Sequence, residues 1–466
     1  MASRSNKNRI KNAQRLLRKK LSKSHLRQRP SLNGAWPMLT HLSLNNVGPV
    51  PRLEMDLAPR LNLITGDNGL GKSFLLDIAW WSMTRRWPWE VNDRLTSGRR
   101  PLPAGNEPAS IGFSFTGKVK KEQYTSEYQP REEVWKGRPG RPANPGLVFY
   151  AMSDGSFAVW DPARNYWRTQ GDVDVQDRVP AYVFSPTEVW DGLTDKGGKH
   201  LCLGLVLDWA SWQKEANSSA FTSLTTVLAA LSASENEKLA PGQLTRISLD
   251  DARDIPTIRM PYGQDVPVLF ASAGIRRILS LAYVLVWAWH EHCLAAKFLK
   301  EEPTKQMVLL MDEVEAHLHP HWQRRIIPAL LAVAETLVGR DDTTLQLIAA
   351  THSPLVMASS EPQFNKDLDA WWDLDLERQR VVLSRRPFEK QGDAARWLLS
   401  EAFDLRSSRP IEYEDLVKEA ASLLEAEKPS PKKIKAMNDR LVEALPPTDD
   451  FLFNWRYVLG RKGWLK

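Results

Sequence analysis

The chain has 466 residues, 42% hydrophobic and 26% charged, enough for one large α/β domain with insertions or for two or three domains, and this excludes a wholly disordered chain. No apolar run reaches the ~18–20 residues of a membrane span, the start lacks a secretory signal's apolar centre, and Cys202 and Cys293 have no metal-binding spacing. A soluble protein of the reducing cytoplasm, with no membrane partner, is expected.

The net charge of +7 is unevenly spread: residues 1–30 hold 11 Lys or Arg and no acid, so the rest of the chain is net acidic. This basic arm, taken as residues 1–35, can meet nucleic-acid phosphates; it reads equally as a solvated arm, and its composition also fits an organelle transit peptide. Beyond it, Leu39 to Leu44 and Leu53 to Leu57 alternate apolar with polar, as half-buried strands do, and Leu61 to Ile64 makes a third strand.

That third strand runs into Gly66-Asp67-Asn68-Gly69-Leu70-Gly71-Lys72-Ser73, which meets the phosphate-loop pattern G-x-x-x-x-G-K-S at every fixed position. Gly66, Gly69 and Gly71 let backbone N–H groups turn inward around phosphates, with Asn68 between them. Lys72 can reach the β- and γ-phosphates of ATP, and Ser73 can place its hydroxyl on Mg²⁺. From Lys72 the chain reads as a helix whose N-terminus faces the anion.

Between about 86 and 150 Pro and Gly are dense, which predicts a loop-rich insertion. Within and after it, Leu147 to Met152 and Phe157 to Trp160 flank Asp154-Gly155 as a hairpin, and Ala181 to Phe184 is a further short strand. A helical lobe follows over about 200–300, ending in one long helix from Ile275 to Leu299. Ser272 and Gly274 stand at its start, where a hydroxyl and free N–H groups face an anion or simply cap the helix.

Gln306 to Met311 is an apolar strand ending in Asp312-Glu313. Beside a phosphate loop these residue types suit metal coordination by Asp312 and polarisation of the attacking water by Glu313. Leu345 to Ala350 is another strand, ending in Thr351-His352-Ser353-Pro354, where His352 can hydrogen-bond a γ-phosphate or the water. Trp371 to Ser384 reads as a strand hairpin, and 391–458 is helical, broken at Pro429, Pro431 and Pro446-Pro447. The 19 tryptophans read as core packing, not as a base-stacking platform.

The order of phosphate loop, Ser-x-Gly helix, Asp-Glu strand and His strand resembles that of ABC-type ATPases. Asp312-Glu313-Val314-Glu315-Ala316-His317-Leu318-His319-Pro320 and Thr351-His352-Ser353-Pro354 resemble the RecF-like, SMC-like and overcoming-lysogenization-defect group of these proteins. The resemblance implies an α/β P-loop head with a mixed sheet, a helical insertion and a helical C-terminal extension, the ATPase domain covering 36–365 and the hairpin with its helices 366–466. It implies ATP and Mg²⁺ as cofactors, Ser272 and Gly274 acting across a homodimer or higher oligomer, and residues Glu315 to His319 at the dimer seam. Long coiled-coil arms and a built-in nuclease are not expected, and Asp367, Asp369, Asp373 and Asp375 are not read as a metal site. The glutamine that links the two lobes in this family is not located; the segment 181–195 is where it is expected.

The implied function is Mg²⁺-dependent ATP hydrolysis that regulates a nucleic-acid-linked process, with anti-phage defence through a separate effector such as a nuclease as the leading reading. A RecF-like repair mediator and a low-turnover ATP-binding scaffold are the alternatives. A transporter subunit is disfavoured by the residues after Asp312-Glu313.

Overall fold

The computed structural model describes residues 38–464 apart from 117–121, 137–143, 166, 171–172, 177–180, 235, 339–342, 404 and 427–428, so the basic arm lies outside the described residues. Strands β1 (Leu39–Val47) and β2 (Val50–Asp56) pair antiparallel, and β1 also pairs antiparallel with β4 (Ser110–Phe115), which leads on to β5 (Glu122–Gln129). The alternation in β1 has the expected effect: Leu39, Leu42, Leu44 and Val47 are buried and the residues between them are partly or fully exposed.

Strand β3 (Leu61–Gly66) leaves that sheet for a second one of eight strands. Its other members are β6 (Leu147–Ala151), β7 (Phe157–Trp160), β8 (Ala181–Phe184), β9 (Gln306–Met311), β10 (Thr344–Ala350), β11 (Asp369–Glu377) and β12 (Arg380–Arg386). Their order is β8-β7-β6-β9-β10-β3-β11-β12. The run β6-β9-β10-β3-β11 is parallel, with antiparallel strands at both edges. Parallel strands covered on both faces must be apolar throughout, and all six residues of β9 are buried.

The two faces of this sheet feed two cores. Leu309, Leu347 and Leu63 join the core with helices α2 (Ala273–Leu299) and α3 (Ile326–Val338), while Val308, Leu310, Ile348 and Ile64 join the core with helix α1 (Lys72–Thr84) and the antiparallel sheet. Among the described residues α2 is the one helix long and apolar enough to cross a membrane, although no uninterrupted apolar run of that length was read. Its most apolar 18-residue window is 67% buried inside the protein. The tryptophans do pack the cores: Trp80, Trp87, Trp160, Trp209, Trp397 and Trp455 are among the largest fully buried side chains.

Three expectations about organisation change. The stretch 86–150 is not simply a loop-rich insertion: β4 and β5 extend the first sheet and β6 is a strand of the second, because strand-length runs, alternating in β4 and wholly apolar in β6, lie between the Pro- and Gly-rich turns. The hairpin β11–β12 belongs to the ATPase sheet, since β11 pairs in parallel with the phosphate-loop strand β3, so no boundary falls at 365/366. The helical lobe is interrupted by a small sheet at Ala240–Pro241, Thr257–Arg259 and Asp265–Pro267. Beyond the hairpin, helices Ile411–Glu425, Pro431–Ala444 and Asp450–Lys462 share a separate core around Leu416, Ile434, Leu441 and Trp455.

Candidate nucleotide site

The C-terminal ends of the parallel strands open along one edge, in line with the general position of ligands in α/β sheets. Register places Met311 opposite Ala151 and Ala349, Ala350 opposite Ile64, and Gly66 opposite Leu374. The loop after β3, the acids after β9 and the histidine after β10 are therefore neighbours.

Two loop glycines are forced by backbone geometry. Gly66 has φ +131°, and a Cβ there would sit 2.2 Å from the carbonyl oxygen of Leu374 on β11. Gly71 has φ +106° and starts α1 with no side-chain cap, which leaves the first N–H groups of the helix free for an anion. Gly69 has φ +81°, and Asn68 beside it is exposed. Lys72 is folded back, donating from Nζ to the carbonyl oxygens of Gly66 at 2.7 Å and Asp67 at 2.8 Å. Burial lowers its pKa, and the nearby charges of Asp312, Asp67, Glu313 and Glu315 oppose that shift.

Asp312 is 2% exposed. Its backbone N–H bonds the Ala151 carbonyl at 2.9 Å. Burial raises its carboxyl pKa and the Glu313 charge pushes the same way, while the nearby Ser73 and Ser153 hydroxyls and the charge of Lys72 oppose the rise. One oxygen, Oδ1, is buried without a hydrogen-bond partner among the described residues. An orphaned carboxylate oxygen beside the Ser73 hydroxyl is the hard, all-oxygen donor set that suits Mg²⁺, so Asp312 and Ser73 fit the expected metal.

Glu313 follows in the left-handed region at φ +46°, uncommon for a residue with a side chain. The turn is held by Val314 N–H to Ala350 O at 3.1 Å and Ala316 N–H to Glu313 O at 2.8 Å. His352 is half-buried. Its imidazole pKa is lowered by burial first and then by the Lys72 charge, against Asp312 and Asp67, so the ring is neutral at neutral pH.

The seam expected from Glu315 to His319 divides. The Glu315 carboxylate points inward, accepting from Thr351 Oγ1 at 2.7 Å and from the backbone N–H of His352, whereas His317 and His319 are exposed. Ser272 is the N-cap of α2, accepting from Ile275 N–H at 3.4 Å, and is exposed. Gly274 lies against the same chain's loop: a Cβ there would meet His317 O at 2.6 Å.

The segment 181–195 contains no glutamine, and its Pro186 lies beside Gly155 of the turn after β6. Strand β8 lies two places from β6, and Glu188 is occupied by a capping box with Ser185 and by Asn92 and Arg94, each at 2.6 Å. On the other side of β9 from β10 lies β6, whose last residue, Ala151, accepts from the Asp312 N–H at 2.9 Å, with Ser153 in the turn that follows. Three groups at the site escaped sequence reasoning: Ser153, Arg277 on α2, and Asp77, which accepts from Tyr150 Oη at 2.9 Å and is pushed up to about 8 by burial. The Asp154-Gly155 hairpin was a legible signal for the first; nothing local marked the others. Asp369 is bracketed by Arg60, and Asp373 accepts from Thr65 at 2.7 Å, so these acids hold the sheet together. Among the described residues no group of three or more His, Cys, Asp or Glu could hold a metal ion.

A phosphate loop, the buried Asp312 with its neighbour Glu313, and His352 on one edge of a parallel sheet fit a P-loop ATPase. The chain belongs to the family described as "AAA domain, putative AbiEii toxin, Type IV TA system", whose model matches residues 61–358. It is similar to "Retron Ec83 probable ATPase" of Escherichia coli, 25% identical over 158 residues that cover 34% of this chain and 26% of that protein. The match therefore spans about a quarter of the retron protein's length. It is similar along most of its length to "Septu protein PtuA" of Bacillus thuringiensis, 20% identical over 401 residues, 84% of this chain and 90% of that one. Among solved structures, the SMC head domain from Thermotoga maritima aligns with 75% of this chain and 99% of its own at TM-score 0.36 and 15% identity. The recombination mediator protein RecF aligns with 76% and 100% at TM-score 0.36 and 12% identity.

Proposed function

We propose that this protein hydrolyses ATP with Mg²⁺ in the cytoplasm, closes as a homodimer or higher oligomer around the nucleotide, and uses that cycle to control a separate effector, such as a nuclease, in defence against phage. The observation that carries the reading is the gathering of Lys72, Ser73, Asp312, Glu313 and His352 on one edge of the sheet. Lys72 exchanges the Gly66 and Asp67 carbonyls for phosphate oxygens, and the uncapped start of α1 supplies N–H donors. Asp312 and Ser73 hold the metal, and Glu313 orients and polarises the attacking water. His352, neutral, hydrogen-bonds the γ-phosphate and fixes that water's approach. Mg²⁺, when bound, neutralises charge on the β- and γ-phosphate oxygens.

Exposed Ser272 and Ala273, next to Phe270 at 67% exposure, support a second copy closing over the nucleotide with Ser272 and Gly274. Similarity to retron and Septu proteins, one of them over 84% of this chain, supports the defence role. Nucleic acid is the proposed trigger. The test is ATP hydrolysis by wild type and Glu313→Gln, with gel filtration with and without ATP-Mg²⁺ and DNA. Wild-type turnover with a stalled, ATP-bound, larger mutant is the expected result. Equal inactivity of both, with size and DNA binding indifferent to ATP, would overturn it.

A further inference from the structure

Helix α2, which presents Ser272 outward, also sends a side chain into the catalytic edge of its own chain. Arg277 donates from Nη2 to the carbonyl oxygen of Met152 at 2.6 Å. Its Nη1 is shut off from solvent and has no hydrogen-bond partner among the described residues, and its guanidinium stands 5.5 Å from the Phe157 ring centroid. Asp154, Asp312 and Glu313 are close enough to act on its charge. Asp154 is occupied elsewhere, accepting from Thr96 Oγ1 at 2.9 Å, Ser97 Oγ at 2.8 Å and Ser156 N–H at 2.9 Å. Among the described residues the buried cation is therefore committed through one hydrogen bond, to the turn 152–156.

That turn is short and stiff. Met152 N–H bonds Ser156 O at 3.0 Å and Gly155 N–H bonds Met152 O at 3.2 Å, so the carbonyl that Arg277 grips also closes the turn. Gly155 has φ +90°, and a Cβ there would approach Arg277 Nη1 to 3.7 Å. The residue before Met152, Ala151, accepts from the Asp312 backbone N–H at 2.9 Å, and Ser153 follows Met152 close enough to act on the Asp312 carboxylate.

We infer that Arg277 is a positioning residue that couples the Ser272 helix to the metal-facing acid of the same chain, through the Met152 carbonyl and the segment Ala151 to Ser153 that carries it. This rests on the nucleotide-site reading above. Movement of α2, as when a second copy engages Ser272, pulls on the turn and moves Ala151 and Ser153 relative to Asp312. The state of one nucleotide site is thereby conveyed to the surface that serves the other. A neutral side chain of similar length at 277 fills the space but releases the turn, and loss of such an orienting partner typically costs 10–100-fold in metal affinity or activity.

The test uses the full chain with Mn²⁺ as the metal probe, read by loss of its free-ion paramagnetic resonance signal in the presence of ADP, so that it does not depend on turnover. For Arg277→Met the half-saturating Mn²⁺ concentration should rise about tenfold and kcat should fall about tenfold, while metal-free ADP affinity stays within about twofold; Arg277→Lys should fall between. Ser153→Ala should shift Mn²⁺ in the same direction, and it decides together with Arg277→Lys if Arg277→Met does not fold. A folded Arg277→Met with Mn²⁺ binding and kcat within twofold of wild type would overturn the coupling. So would tighter Mn²⁺ binding, which would make Arg277 merely a charge competing with the metal. Wild type that binds no Mn²⁺ with ADP would instead refute the nucleotide-site reading itself.

Discussion

Gly274→Ala sets two effects of known size against each other. Alanine is the better helix former by about 1 kcal/mol in a helix interior, and Gly274 is the second residue of α2, where this gain is smaller. Against it, the new Cβ would stand 2.6 Å from the backbone oxygen of His317, far inside a contact distance of ~3.5 Å. The neighbour is backbone held by Leu318 N–H to Glu315 O at 2.9 Å, so it cannot rotate away as a side chain would. Overpacking of this kind costs roughly 1–3 kcal/mol, so a net loss of about 1–2 kcal/mol is expected. Relief comes by displacing the start of α2 from the loop 315–318, which moves Ser272 but leaves the phosphate loop alone. Urea unfolding should therefore show the destabilisation, ATP affinity in the phosphate loop should stay within about twofold, and hydrolysis should fall at least tenfold if Ser272 acts across the seam. A Gly274→Ala protein as stable as wild type or more so, with unchanged turnover, would refute both the close-approach account and the role of α2 in hydrolysis.

Gly66→Ala should be more damaging, by about 3 kcal/mol or more in urea unfolding, because the φ of +131° and the 2.2 Å approach to Leu374 O add; a loss under 1 kcal/mol would show that β3 and β11 separate at little cost. Burial pushes the Asp77 carboxyl up to about 8 from an ordinary value of 3.8, so the folded protein holds a proton that the unfolded chain releases. That contribution is complete below pH ~4 and is lost as pH rises through ~8. Asp77→Asn should flatten this decline in thermal unfolding scans between pH 5 and 9, and an unchanged slope would refute the assignment. Glu315→Ala leaves the Thr351 hydroxyl and the His352 N–H without their acceptor, which should cost ~1–3 kcal/mol and lower kcat more than ATP affinity; an effect on affinity alone would mean that Glu315 does not position His352.

The parts of the site that were legible in the sequence are those made by one continuous segment. The loop 66–73, the acids 312–313 and His352 each follow an apolar strand directly, so composition and spacing within about ten residues suffice to place a functional side chain at a strand end. The parts that were not legible depend on which strands become neighbours. Ser153 matters because β6 lies beside β9, over 150 residues later in the chain, and the hairpin β11–β12 joins the ATPase sheet because Thr65 and Asp373, 308 residues apart, come into hydrogen-bond contact. Glu315 shows the same limit on a smaller scale: its motif fixed its place in the chain, whereas the inward turn of its carboxylate was set by Thr351 and the His352 N–H at the end of the adjacent strand.

By itself the sequence determined the chemistry of this protein, since a phosphate loop needs only a few residue types at fixed local intervals for its backbone to cradle an anion. The tertiary structure decided how that chemistry is connected to the rest of the molecule. Strand order, the close approach of Gly274 to His317 and the reach of Arg277 to the Met152 carbonyl are pairings between distant segments, and packing selects them without leaving a periodic or local trace.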